Sequence, residues 1–542
     1  MRFFDLHCHP GLKTLFKPQD GTQFSAWHTI EAPNLFGDIL SNQSSLEQLS
    51  RNLNDDGTCQ VPLVCITLHP PESGMLNQFI IKAGALLIFS EYMDLPRLKQ
   101  MYSGVDGYQK VFAEEFTNLT AGPRPDDDIP DGTQVVFLQN WADYDPSSPK
   151  TVHVVFNIEG SHGLYPQGIQ GNDPYPDPQQ SLDNLQAFLD KGYCTLYLTP
   201  THLTPNAFIT HAYGNKILTK GPLLPRGLGI TSDGKALIDF AYSKGLLIDV
   251  KHMSLVARMQ FYHIHDQFYR DKPIIASHAG LTGCFAFGDA HHFLGWSTDQ
   301  HTGDGFVRVN GVNTRGIISG TSFYPLSINL FDDDIAAILR SGGLIGLSMD
   351  VRILGGMDNE EALVSDYLTP EEFELLNLVE DQCRQKVSEL ADALWAGETV
   401  IATPSAAKVA DPPEAEVAIA AEVAEIFTPG APADLGPNAR AHARLLANHL
   451  LQIRFVAEIS GLSPPWNNIC IGSDFDGLIQ AVDCCKNVTA LGTMAGLLEE
   501  ELAYGAAELH VNLGISPQQI VEQVCYTNAF NFINKHFGGL RK

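Results

Sequence analysis

Eight short apolar segments, separated by stretches with helical patterns, constrain the fold of this chain more than any other feature of its sequence. The segments lie at residues 2–8, 62–69, 152–159, 193–199, 246–252, 273–278, 343–349 and 468–474. Strands that alternate with helices form parallel sheets, and eight such units close a (β/α)8 barrel. We therefore predict an α/β chain folded as a TIM barrel.

Three segments are longer than the loops of a minimal barrel, and we predict that they are insertions in a single domain spanning residues 1–542. Residues 114–150 are rich in Pro, Asp and Gly, and residues 280–326 carry Gly and His without strong periodicity. Residues 352–445 contain a helical pattern followed by a stretch rich in Ala, Pro and Glu. That stretch is typical of a mobile excursion or of a short, loosely packed helix.

Charge and cysteine content narrow the range of partners and the cellular setting. The 63 acidic residues outnumber the 34 basic ones, and the formal net charge of −29 disfavours nucleic acids and anionic membranes as partners. The sequence has no apolar run of about 18 residues and no secretory pattern at its start. The ten cysteines follow no disulfide or CxxC spacing, so we expect reduced thiols and a cytoplasmic protein.

Residues that can bind metals stand at the ends of several predicted strands. They are His7 and His9 after the first strand, Glu159 after the third, His252 after the fifth, His278 after the sixth and Asp474 after the eighth, while His202 follows the fourth. In a barrel the carboxyl ends of all strands meet at one mouth, which carries the chemistry. Because side chains alternate along a strand, His7 and His9 point the same way and can bind one cation.

Imidazole nitrogen and carboxylate oxygen are ligands for zinc, and this set is large enough for two ions. We predict that His7, His9 and Asp474 bind one ion and that His252 and His278 bind the other. Glu159 is predicted to bridge the two ions.

Several segments together resemble one known enzyme family. The segments GLGITSDGKALIDFAYSKGLLIDVKHMS, KPIIASHAG, DDDIAAILRSGGLIGLSM, ICIGSDFDG, IEGSHGL and LYLTPTHLTPNAF are similar to the renal (membrane) dipeptidase family, peptidase family M19, within the amidohydrolase superfamily. The resemblance implies a barrel of the metal-dependent hydrolase type with a binuclear zinc centre. It implies cleavage of a dipeptide-like amide by a hydroxide bridged between the metals. It also implies that His202 contacts the substrate carbonyl and that Asp474 is catalytic, handling the proton of the bridging water.

Two positions depart from the family's pattern. The family's first motif is usually His-x-Asp, whereas this sequence has His9 there, which keeps a ligand and removes one negative charge. The family also has an arginine shortly after the sixth-strand histidine that binds the substrate carboxylate, but no arginine lies between His278 and Arg308. Arg226, Arg308, Arg315 and Arg352 are candidates to replace it.

Two other functions fit the same residues. One is a different amidohydrolase chemistry on the same barrel: hydrolysis of an N-acyl group, a lactone or a phosphoester, or deamination with one metal. The other is a metal-binding protein without catalysis. The expected partner in catalysis is a small molecule, a dipeptide or related amide, and the sequence leaves a homodimer open.

Other polar residues near the strand ends are predicted to play supporting roles. We expect Asp476 in a turn or beside the ligands, Asp249 in the core or beside the ligands, and His162 orienting Glu159 or its loop. His69 is expected on the rim, with a place in the lining of the pocket as the alternative. His291 and His292 fit a solvated loop in the second insertion.

Overall fold

A computed structural model describes most of the chain. The described residues are 1–16, 25–31, 40–72, 94, 97, 100–101, 107–124, 127, 129–165, 177–214, 223–287, 297–302, 306–356, 363–397 and 438–537, and the architecture given below is theirs. The predicted loop residues His291 and His292 lie outside them, as does the Ala-, Pro- and Glu-rich stretch at 398–437.

Eight parallel strands form the centre of the molecule. They are β1 (Phe4–Cys8), β2 (Leu63–Leu68), β3 (Thr151–Glu159), β4 (Thr195–Thr199), β5 (Leu247–Ile248), β6 (Ile275–Ala279), β7 (Leu344–Leu347) and β8 (Ile469–Ile471). Their order in the sheet is β5-β4-β3-β2-β1-β8-β7-β6. The two end strands meet through a parallel bridge between Asp249 and Ile275, and Val250 N–H donates to the Ile275 carbonyl at 2.9 Å. The ring is therefore closed, and the predicted (β/α)8 barrel is confirmed.

Helices surround this ring. They are α1 (Leu46–Arg51), α2 (Gly107–Thr120), α3 (Pro178–Leu189), α4 (Ser232–Ser243), α5 (Leu255–Phe268), α6 (Asp332–Arg340), α7 (Val351–Leu354), α8 (Pro370–Leu376), α9 (Glu380–Trp395), α10 (Ala439–Ile459), α11 (Leu491–Glu508), α12 (Pro517–Glu522) and α13 (Asn528–Phe537). Hydroxyl caps begin the helices on either side of β5. Thr231 accepts from Gly234 N–H at the start of α4, and Ser254 accepts from Ala257 N–H at the start of α5.

The predicted insertions contain regular structure. Helix α2 spans position 114, where the first insertion was predicted to begin, and residues Gln134–Phe137 form a further strand parallel to the first half of β3. Strands Ser297–Thr302, Phe306–Val312 and Leu363–Leu368 form an antiparallel sheet that joins the second and third insertions. A short hairpin pairs Thr314–Arg315 with Ser322–Phe323.

Apolar side chains fill the lower part of the barrel. Phe4, Val155, Leu247, Ile275 and Leu344 belong to one buried cluster that points inward from five strands. Further along the same strands, inward positions become polar, and this change places the hydrophilic side chains at the carboxyl ends. The barrel is thus a packed core below and a polar mouth above.

Two other expectations from composition can be compared with the structure. All ten cysteines are free, and nine of them are buried, as expected for reduced thiols. Among the described helices, none combines the length and the apolar character needed to cross a bilayer.

Candidate metal centre

Six side chains predicted as ligands converge at the carboxyl ends of the barrel strands. They are His7, His9, Glu159, His252, His278 and Asp474. Strands β1, β3, β5 and β6, or the residues just after them, supply five of these side chains. The segment after β8 supplies the sixth, Asp474. Residues far apart in sequence therefore share one small volume.

His7 and His9 form the first pair of imidazoles. Their Nε2 atoms are 3.0 Å apart, and both side chains are buried. Asp474 Oδ1 lies 3.1 Å from His9 Nε2 and 3.8 Å from His7 Nε2. The structure brings together the three residues predicted for the first ion.

His252 and His278 form a second pair of the same kind. Their Nε2 atoms are 3.1 Å apart, and both rings are buried. The backbone of His252 has a φ of 65°, in the left-handed region that is uncommon for residues other than glycine. His252 belongs to the turn that follows β5, and its ring lies at the mouth beside Glu159.

Glu159 lies between the two pairs. Its Oε2 is 3.4 Å from His9 Nε2 and 3.6 Å from His7 Nε2. Its Oε1 is 3.1 Å from His252 Nε2 and 3.6 Å from His278 Nε2. Each carboxylate oxygen therefore faces one pair of histidines. Burial opposes its charged form, but the imidazoles of His7 and His202 outweigh burial and hold the pKa of Glu159 well below its usual range.

Hydrogen bonds at Nδ1 fix which ring nitrogen of His7 carries the proton. Tyr197 O–H donates to the Leu6 carbonyl at 2.9 Å, so the Tyr197 oxygen is free to accept from His7 Nδ1, which lies 2.9 Å away. The proton of His7 is then on Nδ1, and Nε2 presents a lone pair toward His9 and Glu159.

The same arrangement recurs at His278. Ser277 Oγ donates to Asp249 Oδ2 at 2.6 Å and therefore accepts from His278 Nδ1, which lies 2.8 Å away. His278 Nε2 consequently presents its lone pair toward His252 and Glu159. Metal-binding histidines are characteristically held in this way by an acceptor at the second ring nitrogen.

The donor set fits a metal ion on each side of Glu159. Two nitrogens that are each about 2.0–2.1 Å from one zinc ion lie about 3 Å apart, and both histidine pairs have that separation. Glu159 Oε1 is buried and has no hydrogen-bond partner among the described residues, as expected of an oxygen reserved for a cation. This chemistry of imidazoles and carboxylates can hold divalent metal.

Asp474 occupies a strained turn just beyond β8. Its φ is 62°, and its N–H donates to the His7 carbonyl at 2.9 Å, which ties the turn to the end of β1. Burial raises the pKa of Asp474 to about 7, although the charge of His7 acts in the opposite direction. Its side chain is 16% exposed, whereas that of Glu159 is 1% exposed, so Asp474 is the carboxylate that solvent can reach.

His202 lies beside the centre together with two residues that the sequence did not mark as part of it. The His202 ring lies 4.4 Å from the ring of His252 and 4.3 Å from the ring of His69. Its Nδ1 is 2.6 Å from Glu72 Oε1, and Glu72 is completely buried. The predicted rim position of His69 is wrong, since His69 is buried and its Nδ1 lies 3.1 Å from the Glu159 carbonyl oxygen.

The other supporting residues have clear contacts. Asp476 accepts from the N–H groups of Gln43 and Ser44 at 2.9 and 2.8 Å and from Lys13 Nζ at 2.7 Å, so it anchors a distant loop. Asp249 accepts from Ser277 N–H at 3.0 Å, beside a ligand. His162 Nε2 donates to the Pro70 carbonyl at 2.8 Å, which holds the segment after β2.

The four arginines considered for binding a substrate carboxylate differ in position. Arg315 is exposed, Arg226 is partly buried, and Arg308 donates to Ser365 Oγ. Arg352 forms a two-pronged ion pair with Asp350 at 2.7–3.0 Å. Burial lowers the pKa of Arg352, but Asp350 outweighs it, and Asp474 contributes in the same direction. Arg352 also donates to the Leu478 carbonyl at 3.0 Å, in the segment that follows Asp474.

No protein-family model matches the chain. A curated relative, described as an uncharacterized protein in the PQQ-III 3′ region of Acinetobacter calcoaceticus, is 25% identical over 211 residues. That match covers 39% of this chain and 46% of the relative, so the chain matches less than half the length of the relative.

Three solved structures are similar to the chain at 13% sequence identity. Dipeptidase AC, a metallopeptidase of family M19, matches over 99% of both chains with a TM-score of 0.44. A metallopeptidase from Rhodobacter sphaeroides, bound to a phosphinate mimic of the dipeptide L-Ala-D-Ala, matches over 99% of both chains with a TM-score of 0.46. The probable dipeptidase PvdM from Pseudomonas aeruginosa matches over 99% of this chain and 96% of its own, with a TM-score of 0.42. The closed ring of parallel strands establishes the (β/α)8 fold of this chain independently.

Proposed function

We propose that this protein is a binuclear, zinc-dependent hydrolase that cleaves the amide bond of dipeptides or closely related amides. The observation that carries the proposal is the position of Glu159. One buried carboxylate has each of its oxygens facing a different pair of histidine Nε2 atoms, at 3.1–3.6 Å. A site for one metal does not need a carboxylate whose two oxygens face two separate pairs of histidines. This geometry therefore favours two ions over the one-metal deaminase alternative.

The residues divide the binding of the two ions between them. His7, His9 and Asp474 hold one ion, His252 and His278 hold the other, and Glu159 is shared. When bound, the ions supply a water of lowered pKa and polarise the scissile carbonyl as Lewis acids. The Nδ1 contacts of His7 and His278 keep both rings oriented before the ions bind.

Asp474 and His202 carry the proton transfer and the stabilisation of charge. Asp474 is the more exposed acid of the site, which suits a group that accepts a proton from water and delivers it to the departing amine. His202 places a ring nitrogen within reach of the centre, where it donates a hydrogen bond to the oxyanion of the substrate. Such a donor contributes roughly 3–4 kcal/mol where similar donors have been removed.

The substrate class follows from the motifs that resemble the M19 family. Those motifs include IEGSHGL, which carries Glu159, and LYLTPTHLTPNAF, which carries His202. The resemblance implies a dipeptide as the substrate.

Metal analysis combined with a hydrolysis panel tests the proposal. The purified protein is dialysed against zinc, analysed by mass spectrometry for bound metal, and assayed with L,L- and L,D-dipeptides, N-acyl amino acids and lactones. We expect about two zinc ions per chain and cleavage of dipeptides that chelation abolishes and zinc restores. One ion per chain, or turnover confined to lactones or N-acyl compounds, contradicts the proposal.

A further inference from the structure

The site contains a buried carboxylate with no place in the proposed reaction. Glu72 is fully buried, lies just beyond β2, and lies outside the six side chains that flank the two ion positions. Burying a charged group is costly unless it is paired, so its retention calls for a specific role. Its contacts are with His202, Leu203 and His69, on one side of the metal centre.

Glu72 binds His202 through one oxygen. Oε1 lies 2.6 Å from His202 Nδ1 and accepts from the N–H of Leu203 at 3.1 Å. The ring and the backbone of the same segment are therefore fixed by one atom. The His202 imidazole holds the pKa of Glu72 well below its usual range despite burial, so the carboxylate is ionised and accepts only. The proton between the two groups is on Nδ1.

The second oxygen of Glu72 is buried and faces His69 without a hydrogen bond of its own. His69 Nε2 lies 3.4 Å from Glu72 Oε2, and His69 Nδ1 lies 3.1 Å from the carbonyl oxygen of Glu159. Burial lowers the pKa of His69, but Glu72 outweighs it and the pKa rises to about 9. These distances place the His69 ring between Glu72 and the backbone of Glu159.

We propose that Glu72 is a positioning residue: it accepts from His202 Nδ1–H and so holds the ring with Nε2–H directed at the substrate. The proposal rests on the function proposed above, in which His202 contacts the substrate carbonyl. A histidine free to rotate or to exchange tautomers meets the oxyanion in the right geometry only part of the time. The contact with Glu72 removes that freedom.

A double-mutant cycle tests the inference. Wild type, Glu72→Leu, His202→Ala and the double variant are assayed with whichever of L-Ala-L-Ala and L-Ala-D-Ala the wild type cleaves faster. We expect Glu72→Leu to lower kcat by about 10–100-fold with KM changed by less than about threefold, and to lower it by less than about threefold when His202 is already Ala. An equal loss in both backgrounds, or no loss in either, overturns the proposal.

Two further variants separate positioning from general damage to the site. Glu72→Gln keeps an oxygen that can accept from His202 Nδ1, so we expect activity between those of wild type and Glu72→Leu. Glu115→Gln is the matched control, because Glu115 is buried and accepts from the N–H of His69 but makes no described contact with His202. Zinc content and melting temperature are measured for each, and a Glu72→Leu protein that loses its zinc points to a structural role and contradicts the proposal.

A readout without turnover keeps this inference separate from the proposed function. In protein labelled with ¹⁵N-histidine, long-range ¹H–¹⁵N spectra report the tautomer of each ring, and the His202 signal is identified by its absence in His202→Ala. We expect hydrogen-bonded Nδ1–H together with Nε2–H in the wild type and loss of the Nδ1–H signal in Glu72→Leu; an unchanged signal overturns the proposal. If no dipeptide is cleaved, the proposed function fails while this measurement still decides the role of Glu72.

Discussion

Three histidines at the mouth are each held at Nδ1 by a specific neighbour. Tyr197 fixes the proton of His7, Ser277 fixes that of His278, and Glu72 fixes the ring of His202. Asp474 differs from them, because its carboxylate is partly exposed and is held mainly through the strained backbone of its turn. A residue that must exchange protons with water and product needs that access.

Replacement of Asp474 by Asn tests its role as the proton carrier. Asn has nearly the same shape and keeps one oxygen toward His9, but it cannot take up a proton, so we expect kcat to fall by about 10²–10⁴-fold. Zinc content is expected to stay close to that of the wild type, because His7, His9 and Glu159 remain. Steady-state kinetics and metal analysis on the same preparation check this, and retained turnover contradicts the assignment.

Ser277→Ala tests the support of the second ion. The change removes the group that accepts from His278 Nδ1 and donates to Asp249. Loss of such a contact typically lowers metal affinity by about 10–100-fold, and we expect that loss at one of the two ions only. Competition titration with a zinc chelator measures it, with Ser243→Ala, at the exposed end of α4, as control. Equal affinities in Ser277→Ala and wild type would be evidence against this support.

At the scale of elements, buried aspartates join neighbouring strands at the mouth. Asp249, just after β5, accepts from Oγ1 of Thr199, the last residue of β4, at 2.7 Å and from the N–H of Ser277 in β6 at 3.0 Å. Asp5 in β1 accepts from the N–H of Ser473, after β8, at 2.9 Å. These carboxylates connect adjacent strands at the carboxyl ends of the ring. The metal ligands lie next to these contacts, so the hydrogen bonds that join the strands also position the site.

Asp249→Ala is expected to weaken this closure. The change leaves the hydroxyl of Thr199, the hydroxyl of Ser277 and the Ser277 N–H without their acceptor in a buried setting, at a cost of about 1–3 kcal/mol for each unsatisfied group. We expect a lower midpoint of urea unfolding in the metal-free protein. Asp183→Ala, on the exposed face of α3, is the control and is expected to leave the free energy of unfolding within about 0.5 kcal/mol of wild type. Equal urea midpoints for Asp249→Ala and Asp183→Ala would contradict this role of Asp249.

The strands and their metal ligands could be predicted from the sequence because both depend on local pattern. Apolar runs mark the strands, and parallel topology brings their last residues together, so His7, Glu159 and His278 could be placed at one mouth without coordinates. Glu72 could not be predicted in this way. It follows two prolines in a segment without periodicity, and it meets His202 only because loops 130 residues apart fold over the same mouth.

At the scale of the whole molecule, several buried carboxyl groups lie far from the metal centre. Burial raises the pKa of Asp332 to about 7, and Gln452 donates to both of its oxygens at 3.0 Å. Burial also raises the pKa of Asp366 to about 6. An unfolded aspartate titrates near pH 4, so between about pH 4 and 7 the folded state binds more protons than the unfolded state.

The free energy of unfolding is therefore expected to fall as pH rises through that window. Stability from Asp332 is fully present below the pKa of the unfolded state and is lost as pH approaches 7, at up to about 1.4 kcal/mol per pH unit for one proton. Asp332→Asn is expected to flatten the slope, whereas Asp266→Asn, whose side chain is 75% exposed in the wild type, serves as control. Urea unfolding at pH 5, 6 and 7 measures the slopes, and a slope unchanged by Asp332→Asn contradicts this account.

The central claim is that one carboxylate divides the mouth of the barrel into two metal sites. Anomalous X-ray scattering above the zinc edge, from crystals grown with zinc, tests it most directly. The account predicts two peaks, one between Glu159 Oε2 and the pair His7 and His9, and one between Glu159 Oε1 and the pair His252 and His278. A single peak at the mouth, or zinc bound elsewhere with Glu159 free, would contradict it.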